Sequence, residues 1–289
     1  MRQLLRDVLG VPIALGSVSN VEKKVAEMLA PAHQEAATAV DRAQAKNADA
    51  TTWRQSGDNR TLWVIASKLA TVFHIVGDAS TDTFRGLFST LRGVLMTDRG
   101  SQFGFWAIQR PQVCWAHLIR KFAAFAEGTD PEVRALGEHL LIHAQVMLHA
   151  WHRVRDGTLD KRSFQEVVAP RADAIIAGLL QRGVAMKRRG VSGACKNMLA
   201  HRPAFFTFAT APGVEPTNNH AEPEIRAFVL WRKTSLGSQS DRGDRFAERV
   251  MTVIHTCRKQ DRHALDFLRD TIDAGLRGLQ TLALISPTP

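Results

Sequence analysis

The chain has 289 residues, 45% of them hydrophobic and 23% charged, with 38 Lys and Arg against 28 Asp and Glu, a formal net charge of +10. That length holds two or three structural units, and no apolar run approaches the ~20 residues of a membrane helix. The basic excess suits a polyanionic partner, nucleic acid ahead of an anionic membrane surface. Cys114, Cys195 and Cys257 stand far apart and form no C-x-x-C pair, which supports neither a disulfide framework nor a cysteine-based zinc site and fits a reducing cytoplasm. Arg6 and Asp7 interrupt the apolar N-terminus, and Gly10 and Pro12 break the apolar stretch from Val8 to Leu15, so no targeting segment is expected.

Taken in chain order, residues 2–9 read as a helix, VPIALG as a turn, and 17–29 as a second helix with Ser19 and Glu22 at capping-box spacing. This is a helix-turn-helix outline, with a plain helical hairpin the favoured reading. From Asn47 the period changes. NADATTW, TLWVIAS and TVFHIVG are rich in β-branched and aromatic residues and separated by turn residues, which predicts three strands in a meander. STDTFRGLFSTL has Phe84, Leu87, Phe88 and Leu91 at helical spacing, and GVLMTD follows as a fourth strand. The order β-β-β-α-β is that of a ribonuclease-H-like core.

VCWAHLIRKFAAFAEG begins as a short strand or turn and becomes a helix, and 131–154 and 164–181 add two more before KRRG breaks the pattern. The middle third is therefore expected to be all-helical. After Pro216, TNNHAEPEIRAFVLWRK carries Ala221, Ile225, Phe228 and Val229 on one helical face, and 246–256 forms another helix. The tail SPTP is expected to lack structure. The organisation expected is an N-terminal helical segment (1–45), the first part of an α/β core (46–125), a helical insertion (126–212) and a core completion with C-terminal helices (213–289).

Asp49 lies on the first strand and Asp98 ends the fourth. A lone Asp at a strand end is usually a turn former, but on neighbouring strands the two side chains can share one edge. Carboxylates gathered from separate elements suit Mg²⁺ or Mn²⁺, and two such ions ~4 Å apart serve phosphodiester cleavage and joining.

DATTWR from Asp49, TDRG around Asp98, CWAHLIRKF from Cys114, and NNHAEPEIR followed by RKTSL are similar, in the same order, to segments of the transposases of the insertion sequence 66 family. The likeness spans almost the whole chain. It implies that Asp49, Asp98 and Glu222 are a catalytic triad holding Mg²⁺ or Mn²⁺. It also implies that the helical stretch between Asp98 and Glu222 is an insertion into the ribonuclease-H-like core. Periodicity alone leaves Glu215 and Glu224 open beside Glu222. Three positions depart from the family's pattern: Ala50, Arg99 and Pro223. The family's cysteine-rich zinc-binding part has no match, so a shortened enzyme or one piece of it is expected.

Ring and cation mix in CWAHLIRKF, where Trp115, His117, Arg120 and Lys121 are candidates for stacking on a base and holding a phosphate; the alternative is a Trp115 core with solvated cations. Lys187, Arg188 and Arg189 form the densest basic run, and Arg226, Arg232 and Lys233 follow Glu222; these are further candidate phosphate contacts. Neither a P-loop nor a G-x-G-x-x-G segment is present.

The reading is a DNA transposase: an α/β ribonuclease-H-like mixed-sheet core with an all-α insertion and a short N-terminal helical segment, cutting and joining DNA at mobile-element ends. Expected partners are element-end and target DNA, further copies of the chain on DNA, and accessory proteins of the same element, with no membrane. The expected location is the bacterial cytoplasm at the nucleoid. Rival readings are a catalytically silent, shortened transposase that binds DNA and a structure-specific nuclease on the same fold.

Overall fold

A computed structural model describes residues 2–87, 92–97, 111–218 and 221–286. In chain order the elements are α1 (Arg2–Leu9), α2 (Leu15–Met28), α3 (Ala30–Arg42), β1 (Ala45–Gln55), β2 (Asp58–Ala66), β3 (Thr71–Val76), α4 (Thr81–Leu87), β4 (Val94–Thr97) and β5 (Pro111–Val113). Then come α5 (Trp115–Ala126), α6 (Pro131–Arg155), α7 (Lys161–Ser163), a π turn (Phe164–Val168), α8 (Ala169–Ala185), α9 (Val191–Ala200), α10 (Thr207–Thr210), α11 (Ala221–Ser235), α12 (Asp241–Lys259) and α13 (Ala264–Leu276). The chain is mixed α/β and mostly helical. No helix among the described residues is long and apolar enough to cross a membrane.

The strands form a five-stranded mixed sheet in the order β3-β2-β1-β4-β5. β1 turns into β2 through Ser56 and Gly57, both at positive φ (49° and 94°), the backbone that a two-residue hairpin needs. β2 pairs antiparallel with β3 from Thr61↔Val76 to Ala66↔Thr71. β4 runs parallel to β1 with Asn47 opposite Met96, and β5 runs parallel to β4. β1 is therefore the central strand. The last five residues of β2 are buried, as in a strand covered on both faces, and this is why TLWVIAS reads as a continuous apolar run.

The chain divides into two compact units, one of residues 1–43, 48–92 and 220–289 and the other of 44–47 and 93–219. In the first, Trp53, Leu62, Val64, Phe73 and Ile75 of the sheet pack with Ile225 and Phe228 of α11 and Met251 of α12. In the second, Trp115, Leu118 and Phe122 of α5 pack with Leu136 and Leu140 of α6, Leu180 of α8, and Phe205 and Phe208. Gly93 admits the Gln44 backbone close by: at φ 77°, an added Cβ would stand 2.3 Å from the Gln44 carbonyl oxygen.

The free edge of β3 is closed by side chains. The N–H groups of Thr71 and Phe73 donate to Oγ1 of Thr256 and Thr252, both at 3.2 Å, and that of Ile75 donates to Oε1 of Glu248. Residues four apart on a helix rise ~6 Å, and alternate residues on a strand ~6.6 Å, so α12 runs along the strand nearly in step. The outward carbonyls are met as well: Thr256 donates to Thr71 at 3.1 Å, the His33 ring to Phe73 at 3.1 Å, and Arg245 to Ile75 at 2.6 Å.

Several elements differ from the sequence expectation. The second N-terminal helix starts at Leu15 with Ala14 as an uncapped N-cap, so Ser19 is not a cap but sits within the helix and accepts from Arg242 at 2.8 Å. A third helix, α3, follows it and replaces the two-helix outline. Residues 164–181 are not one regular helix, because Phe164–Val168 forms a π turn. Phe88 and Leu91 of the helix expected over STDTFRGLFSTL, and 287–289 of the SPTP tail, lie outside the described residues.

Candidate functional site

Asp49 stands on the central strand β1, half-buried, with one carboxylate oxygen accepting the Ala50 N–H at 2.8 Å. The described pairing of β1 with β4 runs to Asn47↔Met96. Asp98, the second candidate carboxylate, lies outside the described residues. Glu222 is the second residue of α11, and its side chain is likewise outside them. Pro223 falls in the first turn of that helix, where a missing N–H breaks no intrahelical bond. Among the described residues, no three His, Cys, Asp or Glu side chains gather in the way that a metal ion needs.

The two carboxylates that periodicity could not separate from Glu222 are held elsewhere. Glu215 accepts from the Trp151 indole at 3.1 Å and faces Arg155 at 3.6 Å. Glu224 is clamped by α12: one oxygen meets Nδ1 of His255 and the other lies 3.2 Å from Nζ of Lys259. Burial raises the Glu224 pKa, but the His255 hydrogen bond and the charges of His255 and Lys259 outweigh it, leaving the group below its ordinary value. Burial lowers the Lys259 pKa, and this amine also donates to the Ser67 carbonyl at 2.7 Å. Sequence reasoning did not find this cluster, although His255 and Lys259 stand one helical turn apart.

The far half of β1 is fixed by α11 and α12. The Trp53 indole donates to Asp244 at 2.9 Å and to Ser238 at 3.1 Å, and its ring meets Phe228 edge-on with centroids 5.4 Å apart. Gln55 donates to Asp241 and to Asp244, each at 2.7 Å. Gly237, at φ 90°, lies against β1 so closely that an added Cβ would stand 2.0 Å from the Arg54 carbonyl oxygen. Burial raises the pKa of Asp244 against the Ser238 and Trp53 hydrogen bonds that favour its anion.

The near end of β1 is fixed within the other unit. Asn47 donates to the Asn218 side chain at 2.8 Å. The Asn218 N–H donates to Sγ of Cys114 at 3.2 Å, and the Trp115 N–H to the Pro216 carbonyl at 2.8 Å. Residues far apart in sequence, Asn47, Cys114, Trp115, Pro216 and Asn218, are thus tied together.

The candidate DNA contacts divide. Trp115 is corrected: its ring is 0% exposed, its indole donates to the Phe205 carbonyl at 2.7 Å, and a base cannot reach it. His117 is half-buried, Arg120 exposed, and Lys121 sits 5.5 Å over the Phe125 ring. Lys187 and Arg189 are exposed, whereas Arg188 pairs with Asp130 at 2.9 Å and Glu132 at 3.4 Å. Arg226 and Lys233 are exposed, and Arg232 donates to the Thr52 carbonyl.

Residues 1–245 match the family model described as "Transposase IS66 family". The chain belongs to the IS66 transposase family. Among curated proteins, this IS66-family chain is 28% identical over 166 residues to the "Uncharacterized protein y4qI" of Sinorhizobium fredii (strain NBRC 101917 / NGR234), a match covering 55% of the chain and 30% of that protein's length. The IS66 match takes in Asp49, Asp98 and Glu222, the two segments that brace β1 from α5 and α11, and the start of α12.

Proposed function

We propose that this IS66-family chain is a DNA transposase whose Asp49, Asp98 and Glu222 hold two divalent ions, Mg²⁺ or Mn²⁺, on a ribonuclease-H-like core. One observation carries the reading. β1, the strand bearing Asp49, is central in a β3-β2-β1-β4-β5 sheet, with β4 parallel beside it and side chains bracing it at both ends. In the sequence, Asp49 comes two residues after Asn47 and Asp98 two residues after Met96, the last described pair of β1 with β4. The rivals of Glu222 are committed to Trp151, His255 and Lys259, which favours Glu222 as the third carboxylate.

The donor set fits the ions: carboxylate oxygens are hard ligands, and the rigid strand holding Asp49 suits a site that tolerates little displacement. When bound, two such ions activate a water or 3′-hydroxyl and neutralise charge on the leaving oxygen. The nucleophile's oxygen attacks phosphorus, the bond from phosphorus to the 3′-oxygen breaks, and the freed 3′-hydroxyl then attacks target DNA in the same way. The exposed cations Arg120, Lys187, Arg189, Arg226 and Lys233 supply phosphate contacts.

A second reading, a DNA-binding chain without catalysis, is favoured by the departures Ala50, Arg99 and Pro223 from the family's pattern. Incubating the purified chain with labelled element-end DNA and Mg²⁺ or Mn²⁺ separates the cases. Joined products support the transposase, nicks without joining point to a nuclease, and binding alone supports the silent module.

A further inference from the structure

The helical unit contains a cavity of about 500 Å³ whose walls include Gln165, Pro170, Asp173, Arg202, Phe206 and Thr210. That size falls within the ~300–1,000 Å³ of small-molecule sites. We propose that this cavity binds a nucleobase, either an unpaired base of a DNA strand or the base of a free nucleotide.

The walls supply both things that a base requires. Phe206 and Pro170 offer flat apolar surface, and Phe206 is only half-buried because its ring is the outward member of the cluster it forms with Trp115 (centroids 5.4 Å apart) and Phe208 (6.0 Å). The stacking that buried Trp115 cannot provide is thus available one ring further out. Hydrogen-bonding edges come from a fork. Arg202 meets Asp173 through Nε at 2.9 and 3.1 Å and through Nη2 at 2.7 Å, leaving Nη1 without a partner among the described residues. A carboxylate accepts up to about four hydrogen bonds, so Asp173 retains acceptor capacity beside a guanidinium donor. Such a paired donor and acceptor matches the mixed edge of a base.

Gln165 adds a third group. It comes from the π turn Phe164–Val168, a device that inserts one residue into a helix and recurs at functional sites. Its Nε2 donates to the Ala209 carbonyl at 2.6 Å, which leaves Oε1 as an acceptor. The exposed Arg171, next to Pro170, places a cation on the same helix for the attached phosphate.

The inference rests on the DNA partner of the proposed function but not on its chemistry. The test uses the full chain with a single-stranded oligonucleotide carrying 2-aminopurine, the same strand with abasic positions, the 2-aminopurine mononucleotide, and a duplex. Quenching on binding, with the abasic strand bound about tenfold more weakly, is expected from the loss of a base-aromatic stack. Phe206→Leu should weaken single-strand binding by about the same factor and leave duplex binding unchanged, its fold checked by thermal melting. Because that ring contacts the core, the double variant Asp173→Asn with Arg202→Gln provides a second probe, and it should lose the same preference. Saturable binding of the mononucleotide supports the site with a free nucleotide as source; quenching by the strand alone supports it with DNA as source. Equal affinity for intact and abasic strands, or both variants binding like the parent, overturns the proposal. A parent that shows the preference but neither nicks nor joins DNA leaves this site standing and removes only the catalytic reading.

Discussion

Lys259 holds one oxygen of Glu224 at 3.2 Å, and His255 of the same helix takes the other. The side chains of Glu224 and Lys259 are 15% and 12% exposed, so removing the carboxylate leaves a cation in poor solvent. Glu224→Gln should cost about 3 kcal/mol of unfolding free energy, whereas Glu222→Gln should cost little stability and stop strand transfer. Urea unfolding beside a nicking assay reads both, and a stable Glu224→Gln protein would mean that the clamp contributes nothing. Since the Glu224 pKa is lowered in the folded chain, its contribution is present above the unfolded carboxylate range and fades as pH falls through the folded value.

Glu248 behaves in the opposite sense. It is 1% exposed, and burial pushes its pKa up to about 8 despite the adjacent Arg245. Between its ordinary value of 4.5 and about 8 the folded chain binds the extra proton, so Glu248 makes stability fall as pH rises. His33 and His74, lowered by burial from 6.5 to about 4 and about 3, make stability rise with pH up to 6.5. From pH 6.5 to 8 the parent should therefore lose stability through Glu248. Glu248→Gln retains an acceptor for the Ile75 N–H and should remove that decline in urea titrations at the two pH values.

The Thr252 hydroxyl has no charge, so its substitution tests the edge closure without electrostatics. Thr252→Val keeps the shape but leaves the Phe73 N–H buried without an acceptor, at a cost of about 1–3 kcal/mol. Thr252→Ser should recover most of it. If Val and Ser variants unfold at the same denaturant concentration, the hydrogen bond is not what matters there.

Replacing Lys187 and Arg189 together by Ala should flatten the dependence of log DNA affinity on log salt by about two units if both meet phosphates. Replacing Arg188 alone should change the slope less, because Asp130 and Glu132 already engage it. An unchanged slope in the double variant removes this run from the interface.

The strands were legible because β-branched and aromatic residues alternate or run together between clear turns: NADATTW, TLWVIAS and TVFHIVG fall within β1, β2 and β3 or run one residue past them. α3 was not, because its buried face is Ala32, Ala36 and Val40, and alanines give a weak hydrophobic period. The Ser19 and Glu22 spacing misled because such pairs also occur inside helices, and nothing in FQEVV announces a π turn. In the candidate site, CWAHLIRKF announced a ring among cations, yet whether Trp115 faces solvent depends on Phe205 and Phe206, far along the chain. Likewise, the fates of Glu215 and Glu224 are set by Trp151 and by α12, contacts that no local pattern encodes.

With the outward N–H and carbonyl groups of Thr71, Phe73 and Ile75 all engaged by its own side chains, β3 offers no open row for another strand to zip onto. The sheet cannot be lengthened from this edge into a fibril or a shared inter-subunit sheet. A second copy of the chain or an extended peptide could add a strand there only by first prying α12 away.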